Sequence, residues 1–184
     1  MTTTRRLSCD DLFTLSSTNL DPWTETYHLG FYAEYLSKFP ALALLLEAPG
    51  SGRAAAYILG KAEGAGQDWR GHVSAVSVAP AYRRLGLARR LMREAERVSE
   101  ALYAAFFVDL FVRVSNAPAL RMYGRLGYGV FRRILGYYGG GGGVAAEDAF
   151  DMRKPCARNA KRKRDCTVPL QRPVRVGTDL WPTT

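Results

Sequence analysis

Residues Val73 to Arg93 constrain the fold more tightly than any other stretch of the chain. They run from an apolar segment, VSAVSVAP, through the loop AYRRLGLA into a helical pattern that opens LARRLM. Val73, Ala75, Val76 and Val78 read as a buried strand, and Pro80 ends it because proline has no N–H to give to a sheet. Leu87, Leu91 and Met92 fall at offsets 0, 4 and 5, one face of a helix. A strand, a basic glycine-containing loop and a helix form a layout that can hold a phosphate. The loop and first-turn N–H groups converge, and a helix N-terminus carries partial positive charge. Arg83 and Arg84 add full charges, and Gly86 has no Cβ to hold a diphosphate off the backbone. The candidate anion-binding residues are therefore Arg83, Arg84, Leu85, Gly86, Leu87 and Ala88. On spacing alone, a strand–loop–helix connection that binds nothing is the competing reading.

The 184 residues, 47% hydrophobic, suffice for one domain with a substantial core, plus a tail. No run approaches the ~20 apolar residues needed to span a bilayer, so no membrane partner is expected. The opening MTTTRRLSCDD lacks the apolar segment of a secretory signal. Cys9, Cys156 and Cys166 are odd in number and at no metal-ligand spacing. Free thiols in a reducing compartment, and no bound metal, are expected. The location that follows is cytoplasmic, with the nucleus as the alternative.

The net charge of +9 is uneven: residues 153–184 hold nine basic and two acidic residues, whereas residues 1–152 hold 17 and 15. The basicity belongs to a tail, 156–184, expected to be flexible apart from local docking by Val168, Leu170 and Val174. Lys161 to Arg164 fit a weak RNA contact or a nuclear-import patch, with a solvated terminus as the plainer reading. Nothing nearby interleaves aromatics with these charges as a single-strand platform would.

In chain order, Ser8 with Asp10 and Asp11 predicts a short capped helix over Cys9–Ser16. NLDPWTETYHLGF breaks all periodicity and reads as a loop, and Phe31–Lys38 as a helix closed before Pro40. ALALLLEAPGSGRAAAYILGKAEG predicts an antiparallel hairpin, and His72–Val78 the central strand. A helix from Gly86 to about Leu102 precedes the strand AAFFVDLFVRV. NAPALRMYGRLGY reads as a short helix with Pro118 in its first turn and Gly127 as its C-cap. YGVFRRILGYY, a loop at Gly139 to Gly143, and AFDMRKP as a last strand complete the pattern. Helices interleaved with an antiparallel-leaning sheet argue for an α/β or α+β domain.

Arg83-x-x-Gly86-x-Ala88 resembles the acetyl-coenzyme A signature of the GNAT acetyltransferase superfamily, Q/R-x-x-G-x-G/A. The order of elements resembles that fold over residues 1–155. The resemblance implies an α/β GNAT fold, a mixed and mostly antiparallel sheet flanked by helices, with acetyl-CoA as co-substrate. It implies that backbone groups of Val76, Ser77 and Val78 pair with the amide arm of the cofactor. Asn116 would position that arm, and the Tyr123 phenol would serve the departing thiolate by donating a proton or a hydrogen bond. Read as structure alone, Asn116 is an N-cap and Tyr123 a packing residue. Histidine is the side chain suited to taking a proton near neutral pH, so His72, and Glu25 through a water, are candidates to take the amine proton. A hydrogen-bonded His and a solvated Glu are the plainer readings of the same two positions.

NLDPWTETY, WRGHVSAVSVAP, YRRLGLARRLM, FFVDLFVRVSN, MYGRLGY, Tyr137-Tyr138 and EDAFDMRKP resemble, in order and spacing, the catalytic subunits of NatB-type N-terminal acetyltransferases. That resemblance implies acetyl transfer to the α-amino group of chains beginning Met-Asp, Met-Glu, Met-Asn or Met-Gln. It also implies work at the ribosome on nascent-chain N-termini with a large helical auxiliary subunit. Glu25, Tyr27, His28, His72, Tyr137 and Tyr138 would form the peptide groove, although the tyrosine pair can equally be surface packing. His28 stands where the family usually has glycine, and Gly136 where many relatives have an acidic residue. A lysine or small-amine acetyltransferase of the same fold, and a nucleic-acid-binding module acting through the basic tail, are the alternatives.

Overall fold

The run ALALLLE has no polar face to turn to water, and a computed structural model shows why: its strand is covered on both sides. The structure describes residues 2–19, 25, 27–139, 145–160, 167–170 and 172–175. The centre of the NLDPWTETY loop, four of the five glycines of 139–143, the basic run Lys161 to Arg164 and Cys166 lie outside the described residues. The chain divides into two compact units, residues 1–105 and 106–184.

Unit 1 carries four strands, β1 (Thr3–Arg6), β2 (Ala43–Glu47), β3 (Ala54–Glu63) and β4 (Arg70–Val78), each antiparallel to the next. Ala43 and Leu45 of β2 and Tyr57 and Leu59 of β3 pack against Leu7, Leu15, Tyr32 and Tyr35. Tyr32 and Tyr35 come from α1 (Leu29–Lys38), and Leu15 from a 3-10 segment, Asp10–Ser17. Alternation sends Leu44, Leu46 and Ile58 to the opposite face, where α2 (Leu87–Ala101) packs on β3 and β4. The α2 residues Leu87, Leu91, Met92, Ala95, Val98 and Ser99 are buried on its inner stripe. Complete burial of a side chain such as Leu91 or Met92 contributes about 1.5–3 kcal/mol.

The helix expected over Cys9–Ser16 is a 3-10 segment, and Ser8 does not cap it. The Ser8 N–H and hydroxyl instead donate to the Asp11 carboxylate, each at 2.7 Å. Arg5 fixes that carboxylate with two hydrogen bonds of 2.6 Å and reaches Glu47 at 2.7 Å. β4 begins at Arg70, two residues before the expected start, because the buried Arg70 guanidinium is held by Asp68 at 2.6 Å and Glu63 at 3.0 Å.

Unit 2 orders its strands β5 (Phe107–Arg113), β7 (Glu147–Pro155), β6 (Gly129–Tyr138) and β8 (Val174–Arg175). The first two pairings are antiparallel, and β6–β8 is parallel. α3 (Ala117–Arg125) follows β5, and α4 (Ala157–Ala160) follows β7. Among the described residues of 156–184, α4 and β8 are the regular elements. Val174 is buried beside Ile134, and the Leu170 N–H donates to the Phe131 carbonyl, while the Val168 and Leu170 side chains remain exposed.

A charge cluster lies inside unit 2. Asp109 and Arg153 are paired across β5 and β7, and Asp151 accepts from Arg132 at 2.9 Å and from Arg153 at 3.0 Å. The Arg153 guanidinium sits over the Phe131 ring at 3.6 Å and the Phe107 ring at 4.6 Å. Burial, with the Asp109 charge adding to it, pushes the Asp151 carboxyl above the ordinary aspartate value. Removing one partner of such a cluster leaves uncompensated buried charge. Arg153→Met is expected to cost about 3–5 kcal/mol in urea unfolding; a midpoint equal to the parent's would show that the cluster stabilises nothing.

Candidate active site

The predicted site residues fall into two sets, one in each unit. In unit 1 they gather around an irregularity of β4 that the sequence does not announce. The register runs Leu59↔Ala75 and then Gly60↔Val73, so Ser74 is an extra residue in β4. A bulge of this kind bends the strand and increases its twist. Two phenols fasten it: the Tyr27 hydroxyl donates to the Ser74 carbonyl at 3.3 Å, and the Tyr35 hydroxyl pairs with the Ser74 hydroxyl at 2.5 Å. Tyr27 stacks on Phe31 at 4.0 Å, and Phe31 meets Tyr35 at 4.5 Å.

Past the bulge, the Ala79 N–H donates to the Ala55 carbonyl at 2.9 Å. Strand alternation then turns the Ser77 backbone toward β3 and the N–H and C=O groups of Val76 and Val78 toward the other edge. The Val78 carbonyl accepts from the Arg83 guanidinium at 3.1 Å, and the Ser77 hydroxyl donates to the Thr18 carbonyl. His72 lies two residues before the bulge, opposite Lys61 and only 9% exposed. Glu25 is exposed. His28 caps α1: its Nδ1 accepts the Phe31 N–H at 3.2 Å, which is why the helix begins at Leu29 rather than at Phe31.

The loop after β4 departs from ordinary backbone geometry. Arg84 and Gly86 both have positive φ, 66° and 78°. Glycine adopts this conformation freely, whereas for arginine it costs roughly 1–2 kcal/mol. Gly86 is the N-cap of α2 and offers no side-chain cap; the Arg90 N–H is bonded to the Gly86 carbonyl at 3.0 Å. The N–H groups of the turn before Arg90 are left without intrahelical acceptors. Arg83, Arg84 and Leu85 are exposed, Ala88 is half-buried and Leu87 buried. Uncapped donors, a helix N-terminus and two guanidinium groups fit a diphosphate.

In unit 2, Asn116 caps α3, its side-chain oxygen accepting the Ala119 N–H at 3.2 Å. Glu147 secures the preceding turn, accepting from the Ser115 N–H at 2.9 Å, from the Ser115 hydroxyl, and from Arg113 at 3.1 Å. Gly127, expected as the α3 C-cap, lies one residue beyond Leu126, which takes that place. Tyr123 is buried on α3 and meets Tyr128 edge-on at 5.9 Å. The Tyr138 hydroxyl donates to the Phe111 carbonyl at 3.2 Å, and Arg113 covers its ring at 3.9 Å. Tyr137 stands edge-on to Phe111 at 4.9 Å. The bulge that carries the pair passes through Gly136, at φ 61°, whose N–H donates to Asp148 at 2.7 Å. This N–H, with Arg133 at 2.7 Å, holds the Asp148 carboxyl below the usual carboxylate range.

A sequence model of the acetyltransferase (GNAT) family matches residues 10–128. The chain is 52% identical to N-alpha-acetyltransferase 20 of Dictyostelium discoideum over 95% of its own length and 96% of that protein's. The chain belongs to the GNAT acetyltransferase family, among its NatB catalytic subunits. The crystal structure of Chaetomium thermophilum Naa20 in complex with a bisubstrate analogue superposes with a TM-score of 0.85, 39% identity, and coverage of 94% of this chain and 96% of that one. The NatB acetyltransferase complex bound to a bisubstrate inhibitor gives 0.79 and 38%, covering 85% and 91%. The GNAT fold expected from the sequence is the fold found.

A GNAT enzyme acts on an acetyl thioester, and the Tyr123 phenol is suited to the thiolate it releases. Burial pushes that phenol well above the ordinary tyrosine value, so it is neutral and can donate. Phe31, Tyr35 and Ser74 escaped the sequence reading; the aromatic spacing of FYAEYLSKF was the signal for the first two. Subtracting the alkaline absorbance titration of Tyr123→Phe from that of the parent should leave no phenolate step up to pH ~11. A step near the ordinary ~10 would refute the buried, neutral phenol.

Proposed function

We propose that this chain transfers acetyl from acetyl-CoA to the α-amino group of proteins that begin Met-Asp, Met-Glu, Met-Asn or Met-Gln. The observation that carries the reading is 52% identity to N-alpha-acetyltransferase 20 over nearly the whole length of both chains, together with the likeness to Naa20 bound to a bisubstrate analogue. Acetyl-CoA supplies an acetyl group activated as a thioester, whose carbon accepts the amine and whose sulfur leaves. The loop Arg83 to Ala88 binds the diphosphate through first-turn N–H groups and guanidinium charge. The edge of β4 at Val76 and Val78 orients the amide arm, and Asn116 holds the entry to α3 beside Tyr123. Tyr123 donates its hydroxyl hydrogen toward the leaving sulfur.

The α-amino group has a pKa near ~8, so a modest base suffices at neutral pH; a lysine amine near ~10.4 demands a stronger one. His72 and Glu25 serve as that base, Glu25 through a water. Tyr27 and His28 of unit 1, and Tyr137 and Tyr138 of unit 2, are the residues assigned to the peptide. Their polar atoms offer hydrogen bonds to the second residue's carboxylate or amide, a gain that an apolar side chain forgoes.

The active form pairs with a large helical auxiliary subunit, a reading supported by the relation to the NatB complex. It works in the cytoplasm on nascent chains at the ribosome, with the basic tail adding a weak RNA contact. Among the described residues no helix is long and apolar enough to cross a membrane.

A peptide panel varied at the second residue tests the assignment, run with and without the auxiliary subunit. Met-Asp and Met-Glu peptides should exceed Met-Leu and internal-lysine peptides by at least about tenfold in kcat/KM. Preference for internal lysine would replace this function with side-chain acetylation on the same fold.

A further inference from the structure

Unit 1 carries a groove of about 870 Å³ between β1 and the outer face of α2, and the proposed chemistry uses only its end at Leu85 to Leu87. Its lining includes six arginines, Arg5, Arg6, Arg89, Arg90, Arg93 and Arg97, against one acidic residue, Glu94. Residues 1–152 hold 17 basic and 15 acidic residues, a net of +2. The lining alone carries +5, so the rest of that stretch is net acidic and the positive charge is gathered in one place. Such segregation creates a directional field rather than a generally basic surface.

Part of this charge is spoken for. Arg5 is held by Asp11 and Glu47, and Arg97 by Glu94 at 2.6 Å. Arg90 braces the groove floor, donating to the Thr2 carbonyl at 3.0 Å and its hydroxyl at 3.1 Å. Arg6, Arg89 and Arg93 are exposed and have no carboxylate partner among the described residues. Arg89, Arg93 and Arg97 lie four residues apart along α2, a row that advances ~6 Å per step.

The lining chemistry selects the partner. Small-molecule sites carry only a few polar groups, whereas this groove sets six arginines and a glutamate beside its leucines. Protein interfaces are anchored on aromatic and aliphatic clusters; among the described residues no aromatic lines the groove, and of its four leucines only Leu85 is exposed. Single strands are held by stacking on aromatics, and none is among the described residues of the lining. A regular row of guanidinium groups suits the phosphate oxygens of a duplex, which arginine takes two at a time. We propose that the β1–α2 groove binds the phosphate backbone of double-stranded RNA, through Arg6, Arg89 and Arg93. The inference does not depend on which amine the enzyme acetylates, and it places RNA contact on the folded part of the chain rather than on the tail alone.

The test is fluorescence anisotropy of a labelled 20-base-pair RNA duplex with the full chain, across a series of salt concentrations. Three proteins are compared: the parent, Arg6→Gln/Arg93→Gln in the groove, and Arg162→Gln/Arg164→Gln in the tail. The groove variant should bind about tenfold more weakly, with its log–log salt slope reduced by about two. The tail variant should remain within about twofold of the parent, and acetyl-CoA affinity should be the same in all three. Unchanged duplex affinity in the groove variant overturns the proposal. So does competition by polyglutamate as effective as by unlabelled duplex, which would assign the groove to an acidic protein segment. A parallel loss of acetyl-CoA affinity would also overturn it, by assigning the groove to the cofactor.

Discussion

A helix that opens on glycine cannot cap its own first turn. At Gly86 the chain leaves the leading N–H groups of α2 without side-chain acceptors, and it holds the residue two places earlier, Arg84, in a left-handed conformation at φ 66°. Both features cost stability in the free protein. They persist because the flanking elements fix the loop from both ends: β4 is paired along β3, and the inner stripe of α2 is buried from Leu87 to Ser99. An anion at this place recovers what the loop forgoes, and an acetyl thioester carried on a diphosphate is such an anion.

The bulge at Ser74 adds a second constraint. An inserted residue reverses which strand groups face which edge, so the sheet pairing of Ser77 and the outward set at Val76 and Val78 both follow from it. Tyr27 and Tyr35 anchor the insertion from the side of α1. The segment that precedes α1 and the strand edge are therefore mechanically linked, and both contribute residues to the proposed chemistry. In unit 2 the same principle recurs at Gly136, where Asp148 fixes an irregular strand that presents Tyr137 and Tyr138.

Much of the fold was legible because the signals were local. Pro80, the 3.6-residue stripe of α2, Asn116 with Pro118, and the apolar run of β5 each declare an element in a few residues. The misreadings share a cause, a distant partner. Ser8 looks like a cap but gives its hydroxyl to Asp11, which Arg5 has already oriented. β4 extends back to Arg70 because Glu63 and Asp68 hold it. The strand at Val174 and Arg175 is defined by its pairing with Ile134 and Leu135. At the site, the contact from Arg83 back to the Val78 carbonyl also depends on a partner that the neighbouring residues do not declare. The cap that the His28 ring places on α1 is a further contact of this kind, and it stands beside the proposed role of His28 toward the peptide. The bulge, which depends on register between strands, had no sequence signature at all.

The central claim is that backbone donors at the start of α2 grip the diphosphate of acetyl-CoA. Amide chemical shifts of Gly86, Leu87 and Ala88 test it most directly, followed by NMR during titration with acetyl-CoA and, separately, with S-acetylpantetheine, which carries the same thioester but no diphosphate. Large shifts at these three amides with acetyl-CoA, and none with S-acetylpantetheine, are predicted. Equal shifts with both ligands, or no shift with saturating acetyl-CoA, would contradict the account.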